Sequence, residues 1–385
     1  MKARQIVSRA RVLDTRLQRL LHPDRRRILI NAGLPMEFSM LAPIHRQLSQ
    51  DSRVEFFFTS SIHPESIRRI FADAGGGIQI ISPARAALMK FDAYLAADFI
   101  WTKLPRGTRR VQTFHGVAGK YGNVYDRPDH SLREWDRLFF INNRRLNNFI
   151  SAGAIDPESP AVCLIGMPKA DCLVDGSLQR DEILRSLGID PERRTVLYAP
   201  TWTPYASLNS MGEELVEQLG RAGFCVIVKL HDNSRDSDPR NSGGINWVDR
   251  LTPILQKHNG HLAAKGTIAP YLAASDVMIS DHSSAGFEYL LLDRPLIRIE
   301  MPELIKRTNI HPDYVDLLVK ASTTVRNPQE TLDAVNSAYA DPAQLSPQRK
   351  RVAEELFYKP GTATNRAVTE LYKLMELSPP HQNAR

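Results

Sequence analysis

DVMISDHSSAGFEYLLLDRPLIRI, residues 276–299, is the stretch whose reading decides the fold. Val277, Met278 and Ile279 form a short apolar run, and the polar turn Ser280-Asp281-His282-Ser283-Ser284 follows it. An amphipathic helix is expected over 285–292, and a second apolar run begins after Arg294-Pro295. Strand, tight turn, helix, strand is the unit of a parallel sheet whose faces are covered by helices. The turn places backbone N–H groups and two serine hydroxyls at the positive end of a helix, which suits a phosphate. Ordinary N-capping by Ser and Asp explains the same residues without a ligand.

Working outward, the alternation continues in both directions. Strands are expected at 28–31, 54–59, 78–81, 93–95, 110–114, 138–141 and 161–165, with helices over 36–49, 64–74 and 143–152. After a polar linker, 170–194, with a short helix over 180–187, a second series follows. Its strands are 196–198, 226–230, 262–264, 277–280, 296–299 and 317–320, with helices over 212–222, 268–273 and 285–292. The fold class is α/β: two doubly wound Rossmann-like domains, 28–175 and 190–345, with a basic segment 1–27 before them and helices within 346–376 after them. Domains of this kind facing each other bring the carboxyl ends of two parallel sheets to a central cleft, where the ligand is expected.

Composition agrees with this reading. A chain of 385 residues exceeds what one core usually serves. Cys163, Cys172 and Cys225 have neither CxxC spacing nor a neighbouring His pattern. That argues against a zinc site or a disulfide framework and fits a reduced, cytoplasmic setting. Apolar runs such as 54–58 are far too short to cross a bilayer. Residues 1–27 carry nine bases and two acids, which accounts for the whole net charge of +7, so the remaining chain is balanced. A nucleic-acid-binding body is therefore not expected. In that segment Ile6, Ala10, Leu13, Leu17, Leu20 and Leu21 recur at helical spacing. A basic amphipathic helix of this kind lies on an anionic membrane surface or packs on its own domain or a partner subunit.

Four polar groups stand just after strands, where a cleft would gather them. His115-Gly116 follows Phe114, with Gly119 allowing close backbone approach and Lys120 in reach of an anion. An imidazole there can take a proton from an attacking hydroxyl, or it can bond a loop carbonyl for structure. His231 follows Leu230 and can bond a phosphate oxygen or protonate a leaving oxygen, unless Asp232 makes it part of a surface turn. Thr201 and Trp202 follow Tyr198, the tryptophan as a stacking surface or as packing. In the opening stretch Ser280, Ser283 and Ser284 are diphosphate candidates. Glu288 is placed for ribose hydroxyls or is a solvated helix carboxylate. Asp281 either fixes the tautomer of His115 or His231 or caps the helix, and His282 has both phosphate and structural options open. No DxD pair or HxxE spacing follows a strand, so neither a metal nor a cofactor is expected, and charge at a diphosphate falls to N–H groups, Lys and His.

The ordered motifs QTFHGVAGK, GMPKAD, LYAPTW, VIVKLHD, ISDHSSAGFEYLLLDRPLI and GTATNR, spanning 112–366, resemble the CDP-glycerol glycerophosphotransferase family, the primases and polymerases of teichoic acid and related capsule polymers. The resemblance implies the GT-B architecture and attack of an acceptor hydroxyl on the β-phosphorus of CDP-glycerol or another CDP-linked polyol, releasing CMP. It implies His115 as base, His231 as the group assisting at the diphosphate, and Ser283 and Ser284 as phosphate ligands; Thr201 and Glu288 are the nucleotide and ribose candidates by their own positions. The chain departs from the family where Val117-Ala118-Gly119 precede Lys120, where His282 replaces the usual Tyr, where Asp232 replaces Pro, and at Lys169-Ala170. The expected partners are a CDP-linked polyol donor, a glycan or lipid-linked acceptor and, through the amino-terminal helix, the inner face of the cell membrane. A GT-B glycosyltransferase using a nucleotide sugar and a non-catalytic nucleotide-binding assembly subunit are the two rival readings.

Overall fold

The structure, a computed structural model, describes residue 9 and residues 12–14, 17–18, 20–100, 102, 104, 107–121 and 130–380. The chain forms two compact units. One comprises Met1–His115, Tyr125–Asp171 and Phe357–Arg385, the other Gly116–Val124 and Cys172–Leu356.

The first unit is built on seven strands: β1 (Arg26–Asn31), β2 (Val54–Thr59), β3 (Gln79–Ile80), β4 (Ala93–Ala97), β5 (Arg109–Thr113), β6 (Arg137–Phe140) and β7 (Val162–Leu164), in the spatial order β3-β2-β1-β4-β5-β6-β7. Every pairing is parallel. Strands β1, β2, β4 and β6 are largely buried on both faces, as expected of a parallel sheet covered by helices. Helix Pro35–Leu48 buries Phe38, Leu41, Ile44 and Leu48, at helical spacing, in one core with Phe56 and Phe58. The helix expected over 64–74 is instead three short turns, Pro64–Ser66, Ile67–Ile70 and Ala72–Ala74. Only Ile70 and Phe71 find fully buried seats there, too few to hold a continuous helix.

The last helix, Ala363–Leu374, belongs to this same unit: Ala367, Val368, Leu371 and Tyr372 join the core of helix Pro35–Leu48. Truncating one such leucine costs about 2–5 kcal/mol. The expected carboxy-terminal region 346–376 is thus divided, since helix Ser346–Leu356 stays with the second unit. Two motifs knot the return. Asp171 accepts the N–H of Ala363 (3.0 Å) and Thr364 (2.7 Å), capping the helix, and Arg366 bonds the carbonyls of Ile165 (2.8 Å) and Lys359 (2.8 Å). Gly166 (φ 90°) lies where a Cβ would sit 2.5 Å from the Tyr358 carbonyl, so glycine is required.

The second unit has six strands, β8 (Thr195–Tyr198), β9 (Cys225–Val228), β10 (His261–Leu262), β11 (Val277–Ser280), β12 (Leu296–Ile299) and β13 (Thr323–Val325), in the order β10-β9-β8-β11-β12-β13. All pairs are again parallel. The order reverses between β8 and β11, as it does between β1 and β4 in the first sheet. The strand expected at 317–320 is part of helix Pro312–Ala321, and the edge strand begins at Thr323. Pro312 at the first helical turn and burial of Tyr314, Leu317, Leu318 and Ala321 on one stripe decide for helix over the apolar run Leu317-Leu318-Val319. Helix Trp247–Lys257 and helix Pro328–Ala340 also lie outside the expected set. Arg180 of the polar linker clamps Asp276 through Nε (2.9 Å) and Nη2 (3.1 Å), tying that linker to the start of β11.

Much of the expected basic helix, namely residues 1–8, 10–11, 15–16 and 19, lies outside the described residues. Those described between 9 and 21 are helical. Asp14 bonds Arg27 (2.9 Å) and the N–H of Lys90 (2.7 Å). Val12, Leu13, Leu17, Leu20 and Leu21 are all exposed, Leu20 by 80%. Among the described residues no helix is long and apolar enough to cross a membrane.

Candidate active site

In the first unit the chain leaves β5 through Phe114, buried against Phe99 (ring centroids 5.5 Å apart), Phe140 (4.9 Å) and Phe149 (5.3 Å), and His115 follows. That aromatic seat fixes where the imidazole emerges. Its side chain is 39% exposed, so one edge is open while Nδ1 contacts the carboxylate Oδ2 of Asp98. Asp98 stands at the exit of β4, the neighbour of β5, and is not among the residues expected from the sequence. The available signal was its position, immediately beyond a fully buried strand on the switch-point side of the sheet. Glu37, in the first turn of helix Pro35–Leu48, accepts the N–H groups of Gly33 (2.6 Å) and Leu34 (3.2 Å). Burial raises its pKa against the pull of those two bonds, and it feels the charges of Asp98 and His115.

In the second unit the opening stretch forms the floor of a basic cluster. Ser280 donates its hydroxyl to the Ala199 carbonyl (2.6 Å) and is buried, so it closes β11 onto the end of β8 and is not the diphosphate ligand expected. Asp281 accepts the N–H groups of Thr201 (2.7 Å), Ser207 (3.1 Å) and His282 (2.7 Å) and the Ser207 hydroxyl (3.0 Å). Four bonds fill a carboxylate, so Asp281 knots the loop after β8 and neither fixes an imidazole nor caps the helix, correcting both expectations. Ser283 is half-buried and Ser284 exposed, and Ser283 Oγ accepts the Ala285 N–H at 3.4 Å. Glu288 is buried, which removes the solvated-carboxylate reading. Thr201 is buried too, with no partner for its Oγ1 among the described residues.

His282 is wholly buried. Its Nε2 faces Arg298 Nη1 (3.5 Å), Tyr314 donates to its carbonyl (3.3 Å), and its Nδ1 has no partner among the described residues. Burial lowers its pKa, with Asp281 opposing and Arg298 and Lys120 reinforcing. An imidazole under the turn therefore stays neutral, and the structural option describes it. Lys120 belongs to this unit, since the division falls between His115 and Gly116. Gly119 (φ 66°) turns the chain, the Lys120 carbonyl accepts from the His311 N–H (2.9 Å), and the ammonium lies 5.9 Å from the ring centre of Tyr314. Burial pushes Lys120 down to about 8, with Asp281 opposing.

His231 follows Leu230 after β9. Its Nδ1 accepts the N–H of Asn233 (3.1 Å), capping the turn Asp232–Arg235, so the neutral ring carries its proton on Nε2. The residue is exposed, yet the protein packed around its ring takes water from it and lowers its pKa to about 4, while Asp232 opposes and Lys229 and Lys120 add repulsion. Trp202 neither fills the core nor stands apart as a stacking surface: its ring lies 5.8 Å from that of His231, tilted by 30°. Among the described residues no three His, Cys, Asp or Glu side chains gather as metal ligands.

Two parallel sheets of Rossmann order, each with a histidine beyond a strand exit, give the chain a GT-B-type α/β fold. Such a fold hosts many chemistries, and relatives narrow them. The chain belongs to the CDP-glycerol:poly(glycerophosphate) glycerophosphotransferase family, whose model matches residues 46–373, and it is an enzyme of glycerol phosphate transfer in cell-wall polymer synthesis. It is 28% identical over 303 residues to the teichoic acid glycerol-phosphate primase of Bacillus spizizenii, covering 71% of each chain. Among solved structures it resembles the wall teichoic acid polymerase TagF, with TM-score 0.68 and 15% identity over 92% of this chain and 89% of that one. It also resembles the UDP-GlcNAc 2-epimerase of Neisseria meningitidis bound to UDP-GlcNAc, with TM-score 0.57 and 15% identity over 90% of this chain and all of that one. At such identities these two structures speak for the fold.

Proposed function

We propose that this enzyme transfers glycerol phosphate from CDP-glycerol to a hydroxyl of a glycan or lipid-linked acceptor at the inner face of the cell membrane. The acceptor oxygen attacks the β-phosphorus, forming a P–O bond. The bond from that phosphorus to the bridging oxygen breaks, and CMP leaves with that oxygen. His115 takes the acceptor's proton as general base. His231, through Nε2–H, and Lys120, as a cation, bind the diphosphate and stabilise the charge that grows on the leaving oxygen. Ser283 and Ser284 complete the phosphate contacts, and Thr201 and Glu288 lie toward the nucleotide.

The observation that carries the reading is family membership together with His115 at a strand exit, half-open and backed by a carboxylate. Attachment to the membrane is supported by the outward apolar residues of the amino-terminal helix and the nine bases in residues 1–27. A lipid-linked acceptor of wall or capsule polymer synthesis fits such attachment.

The test is a donor panel. The full chain is incubated with CDP-glycerol, other CDP-linked polyols, CMP-sugars and UDP-sugars, with a lipid-linked glycan presented in anionic vesicles. CMP released only with a CDP-linked polyol supports the reading, and UDP release overturns it in favour of a glycosyltransferase. Removal of residues 1–27 is expected to free the protein from those vesicles, and equal binding without them refutes the membrane assignment.

A further inference from the structure

The turn that carries Asp98 is built against its own backbone preferences. Asp98 (φ 54°) and Phe99 (φ 61°) are consecutive left-handed residues, and neither is glycine. For a bulky side chain such as Phe this conformation is a real outlier, and it persists only where the surroundings impose it. Here they do. The Asp98 N–H is bonded to the Thr113 carbonyl (3.0 Å), and the Phe99 N–H to the Oε1 of Gln112 (2.9 Å), whose side chain is wholly buried. The Phe99 ring packs edge-on against Phe114, and Tyr94 bonds the Ile100 carbonyl (2.6 Å).

These ties join the turn to β5 and its exit, and the Tyr94 hydroxyl joins it back to β4. Their joint effect is to hold the Asp98 carboxylate against Nδ1 of His115, the residue that directly follows Phe114. A carboxylate accepts only, so it selects the ring form with the proton on Nδ1 and leaves the Nε2 lone pair facing outward. We propose that Asp98 is a positioning residue for phosphoryl transfer: it fixes His115 in the tautomer whose Nε2 can take the acceptor's proton, and it stabilises the imidazolium formed by that transfer. The proton moves from the acceptor hydroxyl to Nε2 while the Nδ1 proton stays on the ring, held against the Asp98 carboxylate. Glu37 is the other carboxylate close enough for its charge to be felt at this pair. Its Oε2 accepts both N–H groups, of Gly33 and of Leu34, and the carboxylate in contact with Nδ1 is that of Asp98.

This inference rests on the reading of His115 as base, so the experiment separates the two. Asp98→Asn is the central variant, because Asn tolerates the left-handed conformation and keeps the volume while its amide can donate to Nδ1. CMP release from CDP-glycerol is followed for wild type, Asp98→Asn, Asp98→Glu and His115→Ala, each checked for folding by circular dichroism. Asp98→Asn is expected to lower kcat by about 100-fold or more with KM for CDP-glycerol within about twofold, and Asp98→Glu to recover part of the loss. In nitrogen-15 NMR the His115 ring of the wild type is expected as Nδ1–H, with that signature lost in Asp98→Asn. An inactive His115→Ala beside an Asp98→Asn enzyme within about threefold of wild type overturns the role of Asp98 and leaves the base intact. An active His115→Ala overturns both. Should Asp98→Asn fail to fold, a wild-type His115 ring found as Nε2–H overturns the proposal by itself.

Discussion

His115 and His231 stand beyond the carboxyl ends of parallel strands in two sheets of the same Rossmann order, yet their rings are set in opposite senses. Nδ1 of His115 meets a carboxylate, whereas Nδ1 of His231 meets a backbone N–H. One ring therefore offers a lone pair at Nε2 and the other a proton. The first suits removal of the acceptor's proton, the second the support of charge on the leaving phosphate. Their surroundings differ in the same sense. Asp98 and Glu37 lie about His115, while about His231 the repulsion from Lys229 and Lys120 stands against the attraction of Asp232. A strand exit supplies position, and the partner of Nδ1 decides which nitrogen carries the proton.

Substitutions break this comparison unequally. The largest effect is expected at His115: His115→Ala lowers kcat by about 1,000-fold or more with donor affinity unchanged, measured by single turnover and by calorimetric titration of CDP-glycerol. His231→Ala comes next, with a loss of about 100-fold. His231→Gln recovers part of it, because an amide N–H can stand in for Nε2–H but no amide can replace a base at His115. The rescue is therefore expected at one histidine only, and rescue at both would erase the distinction.

Lys120 gives a smaller, pH-dependent effect. With its pKa pushed down to about 8, the ammonium is charged at neutral pH and is lost as pH rises through that value. KM for CDP-glycerol is expected to climb roughly tenfold from about pH 7 to about pH 9, and Lys120→Met is expected to show the high KM at both. The smallest effect is on stability, and only in the second unit. His282 has a lowered pKa when folded, so below the unfolded value of 6.5 the unfolded chain binds more protons. The stability it contributes is complete above that value and falls as pH drops toward the folded pKa, by on the order of 2 kcal/mol. Denaturant titrations at falling pH are expected to show this slope, reduced in His282→Gln.

What was legible in the sequence follows the reach of each signal. Apolar runs and turn residues are local, so the α/β alternation and the opening stretch could be read directly, and His231, whose ring is set by Asn233 two residues on, sits in a local turn. Asp98 lies 17 residues before His115 and comes to it only because β4 pairs with β5, which no periodicity reveals. Ser280 and Asp281 look like ligand residues for the same reason that they hold the turn together: short polar side chains bond backbone, and only the coordinates say whose backbone. The misread strand at 317–320 failed because three apolar residues in a row suit either element, while the stripe Tyr314, Leu317, Leu318, Ala321 needed a longer window.

The most direct test of the opposed histidines is nitrogen-15 NMR of the wild-type protein labelled at histidine, with His115 and His231 assigned by substitution, recorded at neutral pH. A neutral His231 with its proton on Nε2 is expected, together with a His115 ring whose Nδ1 carries a proton. Finding both rings in the same neutral form, with the proton on Nε2, would contradict it.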